Sequence, residues 1–167
     1  MKHSKIVAIA AIVFFALSCK SAQKDKGTGT SSPEGTKIIK EYWDDKSLKG
    51  QGPARGKEKQ GAWTLYHKTS GEKLGEGEYL NNKQHGMWTF YYKNGQKSTD
   101  GEFVEDQRTG EWKGYHETGE LMWKANYVIK EKTESGFTML IGGMEGVKTS
   151  FFKSGKVWKE EEFRDGV

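Results

Sequence analysis

The phrase Gly61-Ala-Trp-Thr-Leu-Tyr66 returns as Gly86-Met-Trp-Thr-Phe-Tyr91 and again as Gly110-Glu-Trp-Lys-Gly-Tyr115, at intervals of 25 and 24 residues. Each copy runs on to a second glycine, Gly71, Gly95 or Gly119. Six residues past that glycine come a small residue, a polar one and an aromatic: Gly77-Glu-Tyr79, Gly101-Glu-Phe103 and Ala125-Asn-Tyr127. A fixed period of this length restricts the chain to stacked units, because one such unit is too small to bury its own apolar face.

Each unit has the grammar of a β-hairpin. Trp63 to Lys68 is an aromatic run of strand length, followed by Ser70-Gly71 and a second run ending at Tyr79. In the second unit the turn contains Asn94-Gly95, a dipeptide with ready access to positive φ and hence to tight hairpin turns. Asn81-Asn82 and Glu105-Asp106 mark the returns between units. The spacing predicts units at 61–85, 86–109 and 110–135 and a degenerate unit at 136–167. Glu41-Tyr-Trp43 reads as a half copy, and the whole repeat domain runs from 37 to 167. Strand alternation puts Trp88, Phe90 and Tyr92 on one face and Tyr91 on the other, with equivalent rings of successive units stacked together. The expected fold class is all-β: an elongated single-layer antiparallel sheet of repeated hairpins. Broad rings then cover the sheet in place of a second layer. From Cys19 onward the chain has 19 Phe, Trp and Tyr, as many as its Leu, Ile, Val and Met together.

At these positions the chain resembles the MORN repeat family, in the variant form found in many bacterial proteins. The repeat scaffold residues Gly61, Trp63, Tyr66, Gly86, Trp88, Tyr91, Gly110, Trp112 and Tyr115 carry the likeness. The resemblance implies a meandering β-sheet used as an interaction scaffold, without a catalytic centre of its own. It also implies association with membranes or protein assemblies. Some bacterial relatives bear an antitoxin label, which gives the alternative reading of a cytoplasmic antitoxin-like or regulatory protein.

The N-terminus points elsewhere. After Met1-Lys-His-Ser-Lys5, the twelve residues Ile6–Leu17 carry no charge. A bilayer-spanning helix needs about 20 apolar residues, so the run fits a signal peptide better than an anchor. It ends at Ala16-Leu17-Ser18-Cys19, and Cys19 is the only cysteine. This is similar to a bacterial lipoprotein signal (1–18), in which Cys19 becomes the first mature residue and carries acyl chains such as palmitate. The usual lipobox leucine is displaced: Ala16 holds its place and Leu17 the next. An ordinary signal peptidase cutting the same bond would leave a free thiol. Residues 19–36 are expected to form a flexible tether, since Lys20–Gly35 has no Val, Ile, Leu or aromatic residue. The expected location is the bacterial cell envelope, with a lipid-anchored chain. Lys20 replaces the Asp that retains some lipoproteins at the inner membrane, which favours the outer one.

Removal of Lys2 and Lys5 leaves 25 basic against 23 acidic side chains, so nucleic acid is not an expected partner. His67 and His116 hold one repeat position two units apart, on the order of 20 Å, too far to share a metal ion. His85 reads as a surface residue of a return turn. Glu76/Glu78, Asp100/Glu102 and Glu160–Glu162 offer carboxylates, but Glu78 and Glu102 recur in register, which favours a structural role. No enzyme activity, cofactor or metal is expected. The partners expected are a membrane, through the N-terminal lipid, and a protein or glycan. Candidate contact residues lie where the pattern breaks. Trp123 and Trp158 are read as recurring in second strands, where unit two has Thr99. Met139, Leu140, Ile141 and Met144 fall in an insertion of about a dozen residues within 128–150, either an extended hairpin or cap, or a binding loop.

Overall fold

The computed structural model describes residues 33–164. The proposed signal peptide, Cys19 and most of the tether lie outside the described residues. Twelve strands follow in chain order: β1 Lys37–Tyr42, β2 Leu48–Arg55, β3 Glu58–Lys59, β4 Gly61–Tyr66, β5 Lys73–Leu80, β6 Lys83–Tyr91, β7 Lys97–Val104, β8 Gln107–Tyr115, β9 Leu121–Glu134, β10 Phe137–Met144, β11 Gly146–Phe151 and β12 Val157–Phe163. All join one open antiparallel sheet, in the order β1-β2-β4-β5-β6-β7-β8-β9-β11-β12, with β3 beside β2 and β10 beside β9. Chain neighbours are sheet neighbours almost throughout, as an uninterrupted meander requires.

Two kinds of turn alternate along the sheet. Asn81-Asn82, Glu105-Asp106 and Ser135-Gly136 each place two successive residues at positive φ, the signature of a two-residue type I′ turn. Asn94-Gly95 belongs to the other kind. There the Gly95 N–H donates to the Tyr92 carbonyl and the Tyr92 N–H to the Gln96 carbonyl, and only Gly95 has positive φ, 82°. This is a type I turn closed by a bulged glycine, so the expectation of a tight Asn-Gly turn is corrected. His116–Glu120 and Phe152–Lys156 repeat that bonding, and in Trp43–Ser47 Lys46 takes the glycine's place. The His67–Glu72 turn is one residue longer, which accounts for the first interval of 25.

The phase glycine and its tryptophan act together. Gly86 has φ 67°, and opposite it the β5–β6 register slips: Glu76 pairs with Thr89 but Glu78 with His85. Gly86, Met87 and Trp88 therefore face the single residue Gly77, a bulge that re-aims the indole. The ring of Trp88 lies flat on Gly77, where a Cβ would stand 2.3 Å from it. Its Nε1–H donates to the Glu78 carbonyl at 3.0 Å. Trp112 repeats this on Gly101 and the Glu102 carbonyl (3.1 Å), and Trp63 on Gly52 and the Pro53 carbonyl (2.8 Å). These three indoles are the largest fully buried side chains.

Equivalent rings do not stack on each other, contrary to expectation. A ring from the intervening strand separates them edge-on: Tyr79 stands at 76° to Trp63 and 86° to Trp88, and Phe103 at 90° to Trp88 and 79° to Trp112. The edge-to-face order suits aromatic quadrupoles. Cations roof the row: Lys59 Nζ is 4.6 Å from the Trp63 ring centre and the Arg108 guanidinium 4.2 Å from that of Trp112.

The opposite face carries a second repeated set. The Tyr91 hydroxyl donates to Glu76 at 2.5 Å, while Lys73 bridges to Glu76 (3.0 Å) and lies over the Tyr91 ring. Lys97, Asp100 and Tyr115 hold the same positions more loosely, with Lys97 3.7 Å from Asp100 and 5.4 Å from the Tyr115 ring centre. In the first unit the Tyr66 hydroxyl instead accepts from the Gln51 amide at 3.0 Å. Burial first, then the bond to Glu76, pushes the Tyr91 hydroxyl from an ordinary 10.0 up to about 12. Tyr115 rises as far, by burial and then by Asp100.

Two outcomes follow from this packing. Gly101→Ala must displace Trp112 and should cost about 1–3 kcal/mol in urea unfolding. Ala125→Gly, where no tryptophan sits, should cost only about 0.5–1 kcal/mol; equal losses would contradict the fit of ring on glycine. The raised tyrosines contribute stability that is complete below pH 10.0 and lost as pH climbs through about 12. Tyrosinate absorbance and urea midpoint should therefore change together in that window.

Candidate functional site

The aperiodic segment is an extension of one hairpin. In the first two full units the return follows Leu80 and Val104, but β9 continues through Glu134, turns at Ser135-Gly136 and comes back as β10. Pairing is unbroken from Phe137↔Glu134 to Met144↔Tyr127. The added residues thus form a regular two-stranded arm, the extended-hairpin reading of the insertion.

The arm is fixed at its base. Gln107 donates through Nε2 to the Leu140 carbonyl (3.1 Å) and accepts through Oε1 from the Gly142 N–H (2.7 Å). Its amide thereby imitates a strand's own backbone pairing. A Cβ at Gly142 would fall 2.6 Å from Gln107 Oε1, so any side chain there would have to push that amide aside. Nothing in the repeat pattern marked Gln107, because its partners are backbone atoms 33 and 35 residues away.

Strand alternation divides the sequence candidates between two faces. Leu140 and Met144 share the face of Gly142 and Tyr127; Met139 and Ile141 point the other way. That outer face gains Phe137, 76% exposed, which the sequence reading passed over. The signal was available: 137, 139 and 141 alternate once β10 is known to be a strand. Glu134, Lys132 and Lys130 stand directly opposite these three. A cavity of about 430 Å³ opens beside Lys130, Lys132, Ile141 and Gly143, with Lys130 bonded to Glu145 at 3.0 Å. The outer face is an apolar row alongside a charged one, suited to contact without a deep binding cleft.

Trp123 and Trp158 are not equivalent. Trp123 pairs with Ser150, which pairs in turn with Lys159, so Lys159 is the residue in line with Trp123. Trp158 is the next residue and faces the other side. Trp123 is half-buried and packs against the core cluster, filling the space over Gly114, where a Cβ would lie 2.1 Å from Nε1. Its bulk complements a missing side chain, so the packing of the sheet itself accounts for this ring. Trp158 is 60% exposed and stands edge-on to Phe152 at 6.4 Å.

His85 lies in β6 opposite Glu78, not in a turn. His67 Nε2 pairs with the Tyr91 carbonyl at 3.1 Å. Among the described residues no three His, Cys, Asp or Glu side chains are grouped as metal ligands would be.

A family model for the MORN repeat variant matches the chain over residues 84–105, 108–128 and 144–165. These repeats are of the MORN type. Each match begins two residues before a phase glycine, Gly86, Gly110 or Gly146, so the family register coincides with the strand register. The MORN match stops at Val128 and resumes at Met144, leaving the arm outside the repeat. MORN repeats are commonly binding or interaction modules. No curated protein matches the chain.

Gln107→Ala should release the arm while sparing the MORN units. Hydrogen exchange at Gly142 should quicken by roughly tenfold or more, with amides of β6–β8 unchanged. Uniform acceleration would show that Gln107 supports the sheet instead.

Proposed function

We propose that this chain is an exported lipoprotein of the bacterial cell envelope whose MORN-type domain is a non-catalytic binding scaffold. Lipid on Cys19 would hold it at a membrane, with the outer membrane favoured by Lys20. The composition of residues 20–35, without Val, Ile, Leu or an aromatic residue, supports a tether between that anchor and the sheet. The uncharged run ending at a lone cysteine supports the anchor.

One observation carries the scaffold reading. The recurring residues meet one another within the sheet: phase glycines, indoles, edge-on rings and tyrosine–carboxylate pairs. The arm interrupts that pattern and turns Phe137, Met139 and Ile141 outward. A protein or glycan would be held there, by an apolar row in a lysine-bearing surround. Binding residues commonly sit on such additions to a rigid framework.

The intact mass of native protein extracted in detergent tests the anchor. A chain beginning at Cys19 with added acyl mass is expected; a lipid-free chain beginning at Met1 would overturn export and favour the cytoplasmic antitoxin-like alternative. Photo-crosslinking from position 139 in living cells tests the scaffold. It should yield a discrete adduct that disappears in Phe137→Asp, whereas an adduct indifferent to that change would move the contact elsewhere.

A further inference from the structure

The sheet's two ends are complementary halves of its own repeat. In β1–β2, Lys40 pairs with Gln51, Glu41 with Gly50 and Tyr42 with Leu48, after a bulge between Glu41 and Tyr42. In β4–β5, Thr64 pairs with Glu76, Leu65 with Gly75 and Tyr66 with Lys73, after the same bulge. So β1 is a first strand, equivalent to β4 and β6. In β11–β12, Thr149 pairs with Glu160, Ser150 with Lys159 and Phe151 with Val157. So β12 is a second strand, equivalent to β5 and β7. Inside the chain every second strand pairs with the first strand of the following unit, as Gly75↔Phe90 and Glu76↔Thr89 show. At the far end β12 has no following strand among the described residues, and β1 has no preceding one.

We infer that β12 of one copy pairs with β1 of the next, continuing the sheet across the boundary in the repeat's own register. That register sets Glu160 opposite Lys40 and Lys159 opposite Glu41, two pairs of opposite charge directly across the joint. Lys40 and Glu160 take part in no other ion pair among the described residues. Tyr42 stands where Tyr91 stands inside the sheet, and Glu160 where Glu76 stands. The joint therefore supplies the Tyr42 hydroxyl with the carboxylate that Tyr91 already has.

Apolar exposure agrees with this pairing. Tyr42 is 58% exposed at one end; Phe152 and Trp158 are 53% and 60% exposed at the other. Phe152 and Trp158 correspond to His67 and Leu74, which line a hollow with Tyr91 and Tyr92 of the following unit. Across the joint they meet Tyr42 and Trp43 of the neighbouring copy. The contact is heterologous, so it leaves a fresh end each time and builds open chains instead of closing at two.

Sedimentation of the full chain in excess detergent, over a range of concentrations, tests this directly. A ladder of dimers, trimers and larger species is expected. Lys40→Glu or Glu160→Lys alone should weaken it by about tenfold or more, and mixing the two variants, or combining both changes in one chain, should restore it. Tyr42→Phe, which leaves both charges in place, should weaken it in the same direction. Circular dichroism confirms that each variant folds. A monomer at all concentrations, a closed dimer, or a ladder indifferent to charge reversal would each overturn the proposal.

Discussion

The fit of an indole on a glycine is the contact on which the sheet depends. A single layer has no second layer to hide its side chains, yet Trp63, Trp88 and Trp112 are fully buried. Burial is possible because the neighbouring strand has no Cβ beneath each ring, and the slip at the phase glycine turns the ring down onto it. The indole N–H is satisfied in the same movement by the next carbonyl along. Tyr79 and Phe103 then fit edge-on between successive indoles, and Lys59 and Arg108 close the top. Removing the bare glycine would lift the ring, and the rest of the row rests on the ring.

The fourth unit shows that these positions change as sets. Lys148 stands where the indole would be, and beneath it Ala125 replaces the glycine, since no ring needs the space. On the other face Phe151 replaces the tyrosine, and Lys124 and Leu121 replace its carboxylate and lysine. The Asn126 carbonyl keeps its backbone bond from Glu145 at 2.9 Å, as Pro53 keeps that from Gln60, but receives no indole. This is also where the long arm leaves the sheet. The unit with the fewest interlocking side chains is the one that carries the departure from the repeat.

The molecule divides into a periodic body whose recurring side chains pack on one another and a few places where they do not. The arm exposes an apolar row, and among the described residues β1 and β12 have no outer neighbour. The proposed scaffold would use the arm for a partner and β1 and β12 for further copies. The arm lies far along the sheet from β1, whereas only β11 stands between its strand β9 and the end strand β12.

Much of this was legible in the residues. Period, hairpin units, single-layer sheet and the place of the return at Asn81-Asn82 follow from spacing and backbone preference, which act locally and repeat identically. The sequence likewise determined that His67 and His116 stand apart, because strands have a fixed separation. It did not reveal that Trp123 fills the gap over Gly114, that Trp158 faces away from it, or that Asn94-Gly95 lies in a bulged turn. Those depend on one-residue register shifts, and each shift reverses the face of every side chain beyond it. Gln107's hold on the arm was hidden for another reason: its partners are backbone atoms brought near only by the fold. Local chemistry set what repeats, and tertiary register decided which side chains meet and which are left facing outward.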